Sequence, residues 1–216
     1  MIHLYTWSTP NGRKIPIMLE EIGLPYEVHP IDISQNDQFA TDFLKIAPNN
    51  KIPAITDDRI VDTAGDGAPL AIFESGAILT YLAETSGQLL APSGAARFKA
   101  LEWLHWQIGG LGPMLGQLGF FAVRAEEKAP LAIERFTQEA GRLLGVIERR
   151  LSEAPYLAGT EYSIADIACY PWLVAATTIL KEPLTRSLQD KPALHRWLAV
   201  VGARPAVAKG MQIPSA

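Results

Sequence analysis

NKIPAIT, residues 50–56, sets a run of strand-forming residues directly behind a proline, and the elements on either side of it decide the fold. Ile52-Pro53-Ala54-Ile55-Thr56 reads as a short strand, and a polar loop runs from it through Gly67. Leu70-Ala71-Ile72-Phe73 then reads as a second strand, and two short strands joined in this way form an antiparallel pair. ESGAILTYLAE, residues 74–84, continues at once as a helix whose Ile78, Leu79 and Leu82 share one face. Upstream, Ile2–Thr6 reads as a strand, and Ile15, Met18, Leu19 and Ile22 form a 3.6-period stripe that Gly23 ends. Pro16 is compatible with that helix only in its first turn, where its missing N–H costs nothing, so the helix starts near Gly12 or Arg13 with Asn11 at or just before the cap. Tyr26–Ile31 alternates as another strand, and Phe39, Phe43, Leu44 and Ile46 mark a short helix closed by Pro48. The order βαβαββα over residues 1–87 describes a small α/β layer.

SGQLLAPSGAA, residues 86–96, is loop-forming, and the linker is set at 88–97. Residues 98–216 show no strand pattern and read as an all-α bundle. Phe98 to about Leu118 is helical but should bend at Gly109-Gly110 and Pro113. Phe136, Ala140, Leu143, Leu144, Ile147 and Leu151 form one stripe, with Arg135, Arg142 and Arg149 off it on a solvated face. Ser163-x-x-Asp166 is a capping-box pattern, and the last helix spans about Pro192 to Ala203.

Composition narrows the chemistry. The chain has 216 residues, 48% apolar and 19% charged, enough to bury real cores. A net charge of −4 without a basic stripe argues against nucleic acid as a partner. No apolar run approaches the ~20 residues of a membrane span, and Met1–Tyr5 lacks the basic and apolar regions of a secretory signal, so a cytoplasmic protein is expected. The single cysteine, Cys169, lies on an apolar helix face and reads as a small buried hydrophobe, so any thiol chemistry must bring its thiol from outside. None of His3, His29, His105 and His195 has a neighbouring ligand at metal spacing, and no metal is expected. GGLGPMLGQLG, residues 109–119, has the wrong spacing and no preceding strand for nucleotide binding; close helix packing or a kink explains it better.

What remains is polar groups at loop-to-helix junctions: Ser8, Thr9 and Asn11 before the first helix, PNNKIP (48–53), and Glu74-Ser75. Helix N-termini offer unpaired N–H groups and about half a positive charge. With the cation of Lys51 and the anion of Glu74 they suit a zwitterionic peptide that has carboxylates, an amine and a polar middle, although each piece alone is more often a helix cap or a turn.

These residues resemble a known family. Residues 1–87 look like the thioredoxin-like domain of a glutathione transferase, and the helical remainder looks like its second domain. NKIPAI resembles the family segment with a cis-proline, here Pro53; FESGAILTYLAE resembles its γ-glutamyl site; YSIADIACYPW resembles its helical capping motif. More narrowly, TPNGRKI, APNNKIPAI, LHWQIGGLGPMLGQ and AIERF resemble the bacterial nu-class enzymes, which are glutathione-dependent disulfide-bond reductases.

The resemblance implies glutathione as co-substrate, no metal, and a homodimer. Thr9 and Asn11 would face the glutathione sulfur; Gln38 and Lys51 would hold the glycyl end, with Asn50 also among the glutathione-binding residues; the Ile52 backbone before Pro53 would pair with the cysteinyl residue. Glu74 and Ser75 would take the γ-glutamyl amine and carboxylate, and Arg135 would reach a glutathione in the neighbouring subunit. Tyr5, inside the strand, reads as packing, and Ser8 as a lesser rival for the sulfur. The function implied is disulfide reduction by glutathione thiols rather than a protein cysteine; conjugation of electrophiles and a non-catalytic glutathione-binding role are the alternatives. LGFFAVRAEEKAP, residues 118–130, departs from the polar, histidine-bearing stretch of that class.

Overall fold

The computed structural model describes residues 1–61 and 67–214. Contacts divide the chain into two compact units, residues 1–88 with the C-terminal segment from Arg204, and Leu89–Ala203.

In the first unit, β1 (Ile2–Thr6) lies between β2 (Tyr26–Pro30) and β3 (Ala54–Val61), and β4 (Pro69–Phe73) forms the far edge. β1 runs parallel to β2 and antiparallel to β3, and β3–β4 is antiparallel. α1 (Lys14–Ile22) and α3 (Ser75–Ser86) pack against each other, and α2 (Thr41–Ile46) comes after a 3₁₀ turn at Asp37–Phe39. The alternation of β1 buries Ile2, Leu4 and Thr6 completely, and Ile15, Met18 and Leu19 of α1 and Ile78, Leu79 and Leu82 of α3 are equally buried. Gly23 ends α1 in the left-handed conformation that the stop signal requires, its N–H donating to the carbonyls of Glu20 and Leu19.

β3 is longer than its apolar residues imply. Residues 57–61 read as loop because of Asp57, Asp58 and Arg59, yet they continue the strand. Asp57 is fully buried because its partners satisfy it there: Arg59 donates from Nε and Nη2 at 2.8 and 2.6 Å, and the Tyr81 hydroxyl of α3 donates at 2.6 Å. The turn expected between β3 and β4 falls on residues 62–66, outside the described residues.

The hydrogen bonds from Arg59, more than any other cause, hold the Asp57 carboxyl well below the usual carboxylate range. Burial, with the hydrogen bond to Asp57, pushes the Tyr81 hydroxyl up to about 12. A carboxyl depressed on folding stabilises the fold above its unfolded-state value, and that stability drains away as pH falls through about 4 and below. Asp57→Asn is therefore expected to lower the Tm at pH 7 and to flatten its fall between about pH 4 and pH 2, as read by circular dichroism. A variant with the wild-type acid profile would show that this bond anchors nothing.

The second unit holds α4 (Gly94–Trp106), α5 (Gly112–Leu118), α6 (Pro130–Glu153), α7 (Ile164–Thr177), α8 (Thr185–Leu188) and α9 (Pro192–Gly202). α6 buries Ala140, Leu143, Leu144, Ile147 and Leu151 as its stripe requires, while Arg135, Arg142 and Arg149 are exposed. The glycine-rich stretch forms one π turn at Gln107–Leu111 before α5, and a second lies beyond it at Gly119–Arg124. Gly112 and Gly116 let α5 lie against Trp172, the close packing expected of this stretch.

The segment from Arg204 differs from the expected 98–216 assignment by joining the first unit. α10 (Pro205–Gly210) packs on α1, where a Cβ at Gly210 would lie 2.5 Å from the Ile17 nitrogen. Arg204 fixes it through a paired salt bridge to Glu21, with contacts of 2.6 and 2.7 Å.

Candidate active site

Three chain reversals of the first unit converge on one small cleft of about 50 Å³, lined by Asn11, Lys51, Ile52, Pro53, Phe73, Glu74 and Ser75. The first is the turn from β1 into α1. Its backbone is tied by Thr9 N–H to the Trp7 carbonyl at 2.7 Å and Arg13 N–H to the Thr9 carbonyl at 3.0 Å. Thr9 Oγ1 accepts from Gly12 N–H at 3.0 Å, which leaves its own hydrogen to donate. Only glycine fits position 12, because a Cβ would run into the Trp7 carbonyl. α1 starts at Lys14 without a side-chain cap, and Pro16 sits in its first turn.

The second reversal carries the cis Ile52–Pro53 bond that the resemblance implied. The paired ladders of β3 begin at Ala54, so Ile52 lies just outside them, beside the cleft. Asn50 precedes it at φ +48°, and Lys51 is exposed.

The third is the step from β4 into α3. Glu74 adopts φ +71° and ψ 112°, outside the left-handed well, a conformation that costs on the order of 1–3 kcal/mol and is sustained where the surroundings demand it. That conformation starts α3 immediately after β4 and sets Glu74 exposed at its N-terminus, with no side-chain cap on the helix. Ser75, 8% exposed, accepts a hydrogen bond from Lys14 Nζ at 3.1 Å.

Lys14 is a residue that reading the sequence did not single out. It is 1% exposed, so α1 buries its amine against the first residue of α3. Its hydrogen bond fixes Ser75 at the uncapped helix N-terminus, whose N–H groups favour a carboxylate. The only sign of it in the sequence is a lysine next to the apolar stripe of KIPIMLEEI.

Of the expected residues, Asn11, Lys51, Ile52, Pro53, Glu74 and Ser75 therefore meet in one place. Thr9 and Asn50 are in the flanking turns, and Gln38 is half-buried in the 3₁₀ turn, its Oε1 without a hydrogen-bond partner among the described residues. Arg135 belongs to the second unit, exposed on α6. Ser8 donates to the Pro214 carbonyl at 3.3 Å. Tyr5 stacks on His29 with ring centroids 4.8 Å apart and packs against Phe43, as its place within the strand implied. Cys169 is completely buried in α7.

A four-stranded mixed sheet with a cis-proline just before its third strand and an uncapped α3, with a helical unit after it, defines the glutathione transferase fold. The family descriptions "Glutathione S-transferase, N-terminal domain" and "Glutathione S-transferase, C-terminal domain" match residues 1–84 and 130–199. The chain belongs to this family of enzymes. Within it, the chain is 46% identical to disulfide-bond oxidoreductase YfcG of Escherichia coli, over 98% of this chain and 94% of that protein. A glutathione transferase family member from Pseudomonas fluorescens, solved with two glutathione bound, superposes with a TM-score of 0.92 at 47% identity, over 99% of this chain and 93% of that one. A glutathione transferase from Pseudomonas putida, solved with one glutathione disulfide per subunit, gives 0.91 at 44% identity, over 99% and 91%. No helix among the described residues is long and apolar enough to cross a membrane.

Proposed function

We propose that the cleft binds glutathione and that the protein reduces small disulfides with glutathione thiols, contributing no cysteine of its own. The observation that carries this reading is the pairing of a cleft whose polar groups match a zwitterionic tripeptide with a single cysteine that is 0% exposed in the core of the other unit. The γ-glutamyl carboxylate would take Ser75 and the α3 N-terminus above Lys14, and the amine would take Glu74. The Ile52 backbone would pair with the cysteinyl residue as an added strand does. Lys51, with Asn50 and Gln38, would hold the glycyl carboxylate. Thr9 and Asn11 would then face the sulfur, and Arg135 would serve the site of a second copy in a homodimer.

The chemistry asks the site to favour thiolate over thiol. A hydrogen bond to an ionised group contributes about 1.5–3 kcal/mol, or roughly 1–2 pKa units, and the α1 N-terminus adds a fraction more. That brings a thiol of about 8.5 toward neutrality. The thiolate attacks one sulfur of the disulfide, expels the other as thiolate and forms a mixed disulfide with glutathione. A second glutathione thiolate attacks the glutathione sulfur of that intermediate. Glutathione disulfide leaves with the second thiol, so two glutathiones are oxidised for each disulfide reduced. The two glutathiones and the glutathione disulfide in the Pseudomonas structures support such an exchange here.

The test compares glutathione-dependent reduction of a small mixed disulfide with conjugation of an aryl halide, in the wild type and in Cys169→Ser. Reduction should dominate and should survive the substitution; a folded but inactive Cys169→Ser would overturn the cysteine-free mechanism. One observation favours conjugation as the second reading: Phe121 stacks on Phe136 at 5.7 Å and Phe120 is 47% exposed, an apolar cluster suited to aromatic electrophiles. Conjugation outrunning reduction would select it, and glutathione binding without turnover would select a non-catalytic role.

A further inference from the structure

The register of the first unit assembles a second group of chemistry-bearing side chains. His3 of β1 is paired with Glu27 of β2, and His29 lies two residues farther along the same face. The result sets His3 Nδ1 3.1 Å from His29 Nε2, with Glu27 Oε2 3.5 Å from the first and Glu27 Oε1 3.8 Å from the second. The separation of 26 residues between the histidines hides this from any reading of local spacing.

We propose that His3, Glu27 and His29 form a three-ligand site for a borderline divalent metal ion, with zinc as its simplest occupant. Tetrahedral zinc with ligands at about 2.0–2.2 Å holds its donor atoms roughly 3.3–3.5 Å apart. With one donor atom taken from each residue, the three lie within 4.8 Å of one another, a spread that a small side-chain rotation closes to that spacing. Glu27 is the informative member, because it turns one oxygen toward each histidine at contacts longer than good hydrogen bonds, from which a modest rotation brings one oxygen onto a shared ion.

The surroundings fix the donors as a metal site requires. His3 Nε2 lies 2.9 Å from Asp58 Oδ2, and a carboxylate can only accept, so the proton sits on Nε2. The Nδ1 lone pair is thereby aimed at the site, the carboxylate–histidine arrangement that orients metal-bound imidazoles. His29 is held in plane by the Tyr5 ring stacked on it at 18°. Without metal, His29 Nε2–H donates to His3 Nδ1; with an ion bound, His29 takes its other neutral tautomer, the proton on Nδ1 and the Nε2 lone pair on the metal. Glu27 is 61% exposed and His29 34%, which gives the ion a way in and leaves a fourth position to water. Two imidazoles and a carboxylate suit zinc, nickel or copper rather than magnesium or calcium.

The test titrates zinc into untagged, chelator-stripped protein by calorimetry, with glutathione omitted because its thiol would compete. One ion per chain is expected. His3→Ala or His29→Ala should weaken binding at least about 10-fold and Asp58→Asn about 10- to 100-fold, while His195→Ala leaves it unchanged. A zinc X-ray absorption spectrum of the wild type should report two imidazole ligands, and this reading does not depend on any variant folding. Absence of stoichiometric uptake, unaltered binding in His29→Ala, loss in His195→Ala, or fewer than two imidazoles would each overturn the assignment.

Discussion

Asn11→Ala is expected to lose about 10- to 100-fold in glutathione-dependent disulfide reduction near neutral pH, because a donor to an ionised sulfur contributes about 1.5–3 kcal/mol. Asn11 lines the cleft together with Ile52 and Ser75, so its side chain is where the sulfur of a tripeptide held by those residues would arrive. The deficit has a sign in pH. A thiol that has lost its donor titrates higher, so the variant should be most impaired at neutral pH and should recover as pH rises toward about 9. Direct titration of bound glutathione by thiolate absorbance should show the same upward shift. Tyr5→Phe makes the contrast. Its ring is engaged with His29 at 4.8 Å and with Phe43 at 6.2 Å, contacts that phenylalanine keeps. That variant should stay within about twofold of the wild type, as expected of a change that leaves the sulfur's donors intact. Tyr5→Phe losing more than Asn11→Ala would reverse the assignment of roles, and an Asn11→Ala defect flat in pH would make the residue a positioning one.

The alternation of β1 and the stripes of α1, α3 and α6 were legible because each buries one face, and burial of one face writes its period into the sequence. The far half of β3 was not. Asp57, Asp58 and Arg59 look like loop until Tyr81, 24 residues on, supplies a hydroxyl that makes a buried carboxylate tolerable. α10 was equally silent, since its six residues are held by Arg204–Glu21 and by the backbone of α1 rather than by a pattern of their own. In the site, Asn11, Lys51, Glu74 and Ser75 could be read because polar residues at helix junctions advertise themselves. Lys14 could not: a lysine in a first helical turn normally points to water, and only tertiary packing puts this one under Ser75. His3, Glu27 and His29 show the same limit, for it takes the parallel register of β1 and β2 to bring them together.

Asp166→Ala is expected to be the most damaging substitution for stability, at about 3–5 kcal/mol, although the sequence marks the residue only as half of a capping box. Both halves of the box form: Ser163 N–H donates to Asp166 Oδ2 at 3.0 Å, and Ala165 N–H donates to Ser163 Oγ at 3.3 Å. A cap alone contributes about 1 kcal/mol, which is the loss expected of Ser163→Ala. Asp166 does more, because it is completely buried and its other oxygen accepts from Leu157 N–H at 3.0 Å and from Trp197 Nε1 of α9 at 2.9 Å. Burial pushes its carboxyl up from the ordinary value, against the pull of these donors, and with no acceptor there each donor would lose its partner. Truncation therefore strands donors from the 157 loop, the start of α7 and α9 at once. An unpaired buried donor costs about 1–3 kcal/mol, and neighbouring losses add incompletely. The expected fall in Tm is about 10 °C or more, against a few degrees for Ser163→Ala, with the amides of Leu157 and Ser163 losing protection in hydrogen exchange first. Equal losses from the two variants would reduce Asp166 to a helix cap and leave the joining of α7 to α9 to Trp197 packing alone.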